Sequence, residues 1–424
     1  MLSKKVERSF VYHGLPCIWT GKVYAFFDPA NLKMAIFKDQ ASLSKTKIKD
    51  LEIQGFKLDP QPVLMSNLEK QVTLILTTDC NLACPYCYTR SKVNPTYLDA
   101  NVAISILKTE VPTDRRLYLQ YFGGEPTLNF DCIQAVTEFA KSRYPDLFIY
   151  ITTNGVMSQE VLDYLIRQKI GFYLSLDGTK EFNDKFRRTR DTDEGTFDQV
   201  MQTLRSLLKY DIPVKIRSTV TENNLENMID FASEMFRQGV KLIHFCPKTD
   251  IGRGSNVDQG INDEDYQNRF IGNLETVLDL AKESSARVIT PATLAIGKPF
   301  SPYCKILQTE NKILITPEGK RTLCYGTQDE YHPESHHFVC ADYRPDQDIL
   351  VPRPGVVEKV LETYRKNSLH CSDCFAQFMC QGGCMAENLA LTGDMAGFND
   401  RWCQMQKKLW HFTIERIFRS SRGE

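Results

Sequence analysis

Between residues 71 and 246, short β-branched or aromatic runs alternate with stretches of helical periodicity. The apolar runs are VTLILTT (72–78), LYLQYF (117–122), LFIYITT (147–153), GFYLSLD (171–177), VKIRSTV (214–220) and VKLIHFC (240–246). Amphipathic spacing follows, as in Ile133-Val136-Phe139-Ala140 and Val200-Leu204-Leu207-Leu208. Six such units in series predict a parallel sheet with right-handed crossovers, open or closed into a barrel. Functional residues in sheets of this kind collect at the carboxyl ends of the strands. Upstream, KVYAFFDPANLKMAIF (22–37) predicts two strands around a DPAN turn, and FKLDPQPVLMSN (56–67) reads as a Pro-broken linker. No three-helix set is evident in residues 38–68. Beyond about residue 300 the periodicity fades until QMQKKLWHFTIERIF (404–418), which predicts a helix.

The first strand runs into TTDCNLACPYCYTR (77–90), which holds Cys80, Cys84 and Cys87 with no fourth cysteine nearby. A closed zinc site wants four ligands, so this triplet leaves a metal one ligand short. Composition narrows the reading. A chain of 424 residues with 42% hydrophobic content has room for two or three domains and a sizeable core. Its net charge of -1 argues against a general nucleic-acid binder. No apolar run is long enough for a membrane span, and MLSKKVERSFVY lacks a signal-peptide core, so a cytoplasmic location is expected. In that reducing setting, 14 cysteines point to metal binding or catalysis rather than disulfides. Cys17, Cys132 and Cys246 stand alone and read as buried small hydrophobes.

Three thiolates suit a four-iron cluster with one iron open to a small molecule. The C-x3-C-x2-C spacing, with Tyr86 before the last cysteine, resembles the signature of the radical S-adenosylmethionine (SAM) superfamily. That resemblance implies SAM chelated at the open iron and cleaved to a 5'-deoxyadenosyl radical. Other strand ends add to it. In FGGEP (122–126), paired glycines allow close backbone approach and a carboxylate can accept from an ammonium. By resemblance, Gly123, Gly124, Glu125 and Pro126 carry the cofactor's amino group. Thr153, Asn154, Ser175 and Asp177 (from TTNG and SLDG) would read the ribose, and Arg217 would lie near the cofactor carboxylate. NDKFR (183–187) resembles a family turn but has Asn183 in place of histidine, which leaves it a packing role. The run KFRRTR (185–190) otherwise reads as a solvated face.

The C-terminal cysteines form a second pattern. Cys304, fourteen residues, Gly319, four residues and Cys324 precede C-x2-C-x5-C-x3-C at Cys371, Cys374, Cys380 and Cys384, and then Cys403. This resembles the SPASM extension of peptide-modifying radical enzymes, which implies two auxiliary clusters and so three [4Fe-4S] clusters in all. Family topology assigns Cys371, Cys374, Cys380 and Cys403 to the outer cluster and Cys304, Cys324 and Cys384 to the inner one. Cys340 completes eight thiolates by count. The fold expected is α/β: a partial (β/α)6 TIM-type barrel (69–300), a SPASM domain (301–405), a small N-terminal module (1–68) and a terminal helix (406–424). The resemblance implies a maturase that crosslinks a ribosomally made precursor peptide, served by a reductant such as flavodoxin or ferredoxin. The N-terminal module is either a leader-peptide binder or a packing cap. A sulfatase maturase is the alternative, but such enzymes place an aspartate after the second inner-cluster cysteine, where this chain has Tyr325. Tyr325 or Asp329 would then be the proton acceptor. Outside this class stands a cysteine-rich zinc scaffold.

Overall fold

The computed structural model describes residues 9–12, 15–28, 33–45, 48–54, 56, 69–88, 95–249, 251–256, 264–291, 311–327, 334–380 and 382–422. Six parallel strands form its centre: β5 (Glu69–Ile75), β6 (Arg116–Phe122), β7 (Leu147–Thr153), β8 (Gly171–Ser175), β9 (Val214–Val220) and β10 (Leu242–Pro247). Each expected apolar run is therefore a strand, with ends moved by a few residues. Strands β1 (Phe10–Tyr12), β2 (Leu15–Trp19), β3 (Tyr24–Asp28) and β4 (Lys33–Phe37) form a separate antiparallel sheet before it.

The central sheet continues past the six strands on both sides. Parallel β11 (Arg287–Ile289) joins β10, and β12 (Lys312–Ile315) joins β5 in parallel. Antiparallel β13 (Arg321–Thr322), β14 (Val339–Arg344) and β15 (Ile349–Pro352) then extend the sheet beyond β12. The cysteine-rich region is thus hydrogen-bonded onto the barrel edge through β12.

Strand alternation sorts side chains to two faces. Val72, Leu74, Leu117, Leu119, Ile151 and Phe172 are buried outward in one core with Ile106, Ile133, Val136 and Leu165 from the crossover helices. Inward positions are polar: Thr73 donates to Gln120 Oε1 at 2.9 Å, and Gln120 Nε2 to Thr152 Oγ1 at 3.0 Å. The helices start where the sequence caps them. Asp99 accepts from the Asn101 and Val102 N–H groups at the start of Ala100–Glu110, and Ser158 accepts from Val161 N at the start of Gln159–Arg167.

The C-terminal helix spans Asp400–Ser421, so it begins before Cys403 and carries that residue in its first turn. Trp410, Leu409 and Ile414 share a core with Ile18, Ala25 and Phe27 of the N-terminal sheet and with the helix Glu264–Glu283. Arg416–Asp279 at 2.7 Å and Arg419–Glu275 at 3.0 Å line the seam with that helix. One face of the N-terminal module is therefore packed against the rest of the chain. Its helices in residues 38–56 are two short pieces, Gln40–Ser44 and Ile48–Ile53. Among the described residues no helix is long and apolar enough to cross a membrane.

Candidate active site

Cys80, Cys84 and Cys87 sit on the loop that leaves β5, at the carboxyl end of the barrel. All three line a cavity of about 990 Å³ counted to its open mouth, shared with Tyr86, Gly123, Gly124, Thr153, Asn154, Ser175, Arg187, Arg217 and Cys246. Three neighbours hold the loop. On the first side, Gly124 N donates to Thr77 O at 2.9 Å and Glu125 N to Asp79 O at 2.7 Å. On the second, Asn81 Nδ2 donates to Val156 O at 2.9 Å and Asn154 Nδ2 to Asn81 Oδ1 at 2.7 Å. On the third, Ala83 N donates to Arg188 O and Arg190 N to Asn81 O.

The two glycines of FGGEP line the cavity, but their requirement is set by the cysteine loop. A Cβ on Gly124 would lie 2.0 Å from Asp79 O, and one on Gly123, whose φ is +145°, would lie 2.5 Å from Thr77 O. Glu125 is fully buried and faces the wall. Its carboxylate accepts from Thr127 N, Thr127 Oγ1, Thr153 Oγ1 and Asn154 N at 2.7–3.2 Å. Burial pushes its carboxyl upward in pKa, against these donors. Glu125 is therefore a brace between β6 and β7 in this structure, with Pro126 buried at the start of the short helical turn that follows.

Asp177 is likewise committed. Arg187 donates to it through Nε at 2.8 Å and Nη2 at 3.2 Å, Thr219 N at 2.7 Å, and the Tyr86 hydroxyl also donates. It is 3% exposed, and its carboxylate is not turned to the cavity as a free ribose acceptor. Ser175, Thr153, Asn154 and Arg217 remain on the cavity wall. Arg187, inside the run read as a solvated face, is 8% exposed, and its guanidinium lies 5.7 Å from the Tyr86 ring centroid. Burial alone would lower its pKa, but Asp177, through charge and hydrogen bond, together with the Tyr86 and Cys84 side chains raises it. Lys185, Arg188 and Arg190 lie toward the surface, and the two arginines pair with Asp193 and Asp79. Asn183 is buried, accepting from Asp177 N, as its packing role requires.

Asp79, Asn81 and Arg187 were invisible as site residues, because polar groups in a loop have no periodic signal. Cys246 needs a correction too. It lines the cavity, 3.0 Å from His244 Nε2, rather than lying in an apolar core. A signal was present: in an inward-facing register, positions 244 and 246 share the side of Arg217 and Thr219.

In the second cysteine region, Cys371, Cys374, Cys380 and Cys403 line one cavity with Asn388, Trp402 and Gln406. Cys324, Cys340 and Cys384 share a different apolar cluster with Leu323, Phe338 and Met385. Cys304 and Asp329 lie outside the described residues. Among those described, no three His, Cys, Asp or Glu side chains converge to hold a single metal ion. Tyr325 reaches into the barrel: its hydroxyl donates to Gln120 Oε1 at 3.2 Å, and its ring meets Phe122 edge-on at 5.3 Å. Lys312 Nζ stands 4.3 Å over the same ring.

Residues 74–235 match the Radical SAM superfamily. The chain carries a radical SAM domain. Radical SAM proteins bind SAM and a [4Fe-4S] cluster, and the triplet of cavity-lining thiols with an adjacent glycine-lined wall fits both. An uncharacterized protein of Methanocaldococcus jannaschii is 32% identical over 42% of this chain and 62% of its own length. A cysteine-type anaerobic sulfatase-maturating enzyme of Clostridium novyi is 25% identical over 41% of this chain and 50% of its own. The subtilosin biosynthesis protein AlbA of Bacillus subtilis is 28% identical over 50% of this chain and 46% of its own. The chain therefore spans about half to three fifths of these relatives. In fold, it resembles anSMEcpe with bound AdoMet (TM-score 0.66, 18% identity, 82% of this chain and 98% of that one). It also resembles Streptococcus suis SuiB bound to precursor peptide SuiA (TM-score 0.60, 13% identity, 90% and 97%).

Proposed function

We propose that this chain is a radical SAM/SPASM peptide maturase that forms an intramolecular carbon–carbon or thioether crosslink in a ribosomally synthesised precursor. The observation that carries this reading is the pair of cysteine groups: three thiols on the SAM-side cavity and four more around a second one. Cys80, Cys84 and Cys87 would hold the first cluster and leave one iron for SAM. Cys371, Cys374, Cys380 and Cys403 would hold the outer auxiliary cluster. Cys304, Cys324 and Cys384 would hold the inner one, completed by Cys340. When bound, the first cluster supplies the electron that cleaves SAM to a 5'-deoxyadenosyl radical.

The chain's own residues orient that chemistry. Arg217 supplies a cation for the SAM carboxylate, and Ser175, Thr153 and Asn154 supply polar groups for the ribose and amino end. Gly123 and Gly124 let the wall close on the cysteine loop without side chains intruding. Asp177 and Glu125 act from behind: Asp177 fixes Tyr86 and Arg187, and Glu125 fixes Thr153 and Asn154. Tyr325 is the candidate proton acceptor inside the barrel, with Asp329 the second candidate. Electrons would come from a flavodoxin or ferredoxin in the cytoplasm. The N-terminal sheet is a packing cap buried on both faces, one against the terminal helix and the other beneath Leu51 and Phe56.

Sulfatase maturation is the second reading, favoured by the likeness to the Clostridium novyi enzyme and opposed by Tyr325. Co-expression with a short peptide encoded beside this chain, followed by intact mass and fragmentation, separates the two. A crosslink lowers the mass by about 2 Da and suppresses fragments between the joined residues. An aldehyde at Cys or Ser, trapped by hydroxylamine, would overturn the crosslink in favour of formylglycine formation. A colourless, zinc-containing protein would overturn both.

A further inference from the structure

The cavity that holds the second cysteine group is about 390 Å³ counted to its open mouth. Cys371, Cys374, Cys380 and Cys403 line it together with two buried amides, Asn388 and Gln406. Asn388 is 1% exposed and satisfied: its Nδ2 donates to Gly382 O at 3.2 Å. Gln406 is also 1% exposed, but its Nε2 has no hydrogen-bond partner among the described residues. The helix Asp400–Ser421 fixes its place, three residues after Cys403 and so on the same face.

A buried N–H without an acceptor carries its full desolvation cost. Leucine or methionine would fill the space without that cost, so the amide calls for an acceptor. As the helix stands, none of the four thiols accepts from it. A sulfur of the cluster that these thiols would bind supplies one.

We propose that Gln406 donates its Nε2–H to a sulfur of the outer [4Fe-4S] cluster and raises that cluster's reduction potential. The proposal rests on the auxiliary-cluster reading above. One-electron reduction adds a negative charge that spreads over the cluster sulfurs, and a fixed donor favours the more negative state. Burial strengthens the effect, because water neither competes for the N–H nor screens the charge. Asn388 cannot substitute for it, since its N–H group is already spent on the backbone. The role concerns electron storage rather than SAM cleavage, because Cys80, Cys84 and Cys87 line a different cavity. The outer cluster would hold more firmly the electron that an oxidative crosslink leaves over.

The test is a potentiometric titration read by electron paramagnetic resonance. The full chain with Cys80, Cys84 and Cys87 replaced by Ala is reconstituted, so that only the auxiliary clusters report. Cys371→Ser, which replaces one outer thiolate, identifies the outer signal. Gln406→Met keeps the side-chain length and removes the donor. Its outer cluster should have an equilibrium constant for reduction about tenfold lower, a fall of about 59 mV for one electron. The inner signal should not move, and about eight irons should remain. A second measurement starts from the parent protein, with glutamine labelled by 15N in its side-chain amide. Its reduced outer cluster should show a nitrogen coupling in pulsed resonance spectra, and Gln406→Met should abolish it. Because Gln377 lines the same cavity, a coupling that survives in Gln406→Met assigns the bond elsewhere and overturns the proposal. An unmoved outer potential also overturns it, as does an equal shift of both clusters, which would mean a general change of packing. Absence of the coupling in the parent protein overturns it even if Gln406→Met does not fold. If the outer site takes up zinc or no iron, the auxiliary-cluster reading falls and this proposal with it.

Discussion

Gly124 touches the cysteine loop more closely than any side chain would permit. Because the contact is with the Asp79 carbonyl rather than a flexible side chain, Gly124→Ala has no cheap relaxation. We expect a loss of about 1–3 kcal/mol, read as a lower urea midpoint at unchanged slope, together with weakened SAM binding. Asp177 makes a second residue-scale case. Asp177→Ala would leave the buried Arg187 cation without its carboxylate, which costs about 3–5 kcal/mol. Arg187→Leu in the same background should recover part of that loss in urea unfolding, because an unpaired charge is worse than none. The sequence marked Asp177 and Glu125 as ligand groups; their geometry makes them supports. The residue types were legible, but their direction was not, since a carboxylate at a strand end can face either a ligand or its neighbours' N–H groups. Arg187 was hidden for the opposite reason. Nothing in KFRRTR separates the one buried guanidinium from its solvated neighbours.

Elements were legible in proportion to their length and periodicity. All six central strands follow from apolar runs of six or seven residues. Two-residue β13 and three-residue β11 lie below any pattern a sequence can show, and their strand character comes from the neighbours that recruit them. The same holds for the antiparallel extension through β14 and β15, set by long-range pairing rather than local preference. At this scale the C-terminal helix is the most testable piece. Trp410 is fully buried in the core it shares with the N-terminal sheet and the helix Glu264–Glu283. Trp410→Ala should cost about 3–5 kcal/mol. Limited proteolysis of that variant should cut within residues 9–56 as well as near the helix itself. Cleavage confined to the helix would show that the sheet stands without it.

For the whole molecule, the proposed architecture has a countable content. Three four-iron clusters give about twelve irons per chain after anaerobic reconstitution, and replacing Cys80, Cys84 and Cys87 by Ala should leave about eight. About four irons with stoichiometric zinc would remove the auxiliary clusters from the proposal. The triple variant should also release no 5'-deoxyadenosine under dithionite. The separation of the two cysteine cavities is what makes such independent loss expected.

The terminal helix also imposes a timetable. It is synthesised after every other described element, yet it supplies both Cys403 for the outer cysteine group and the apolar partner of Ile18, Ala25 and Phe27. Until the ribosome has made it, the early sheet holds an oily face open to water and three thiols wait for their fourth. In the proposed assignment, completion of the outer cluster's ligand set and closure of the first-made module therefore fall at the same late moment. A chain cut short before Asp400 would lose both at once, although the radical SAM domain lies far upstream of the cut.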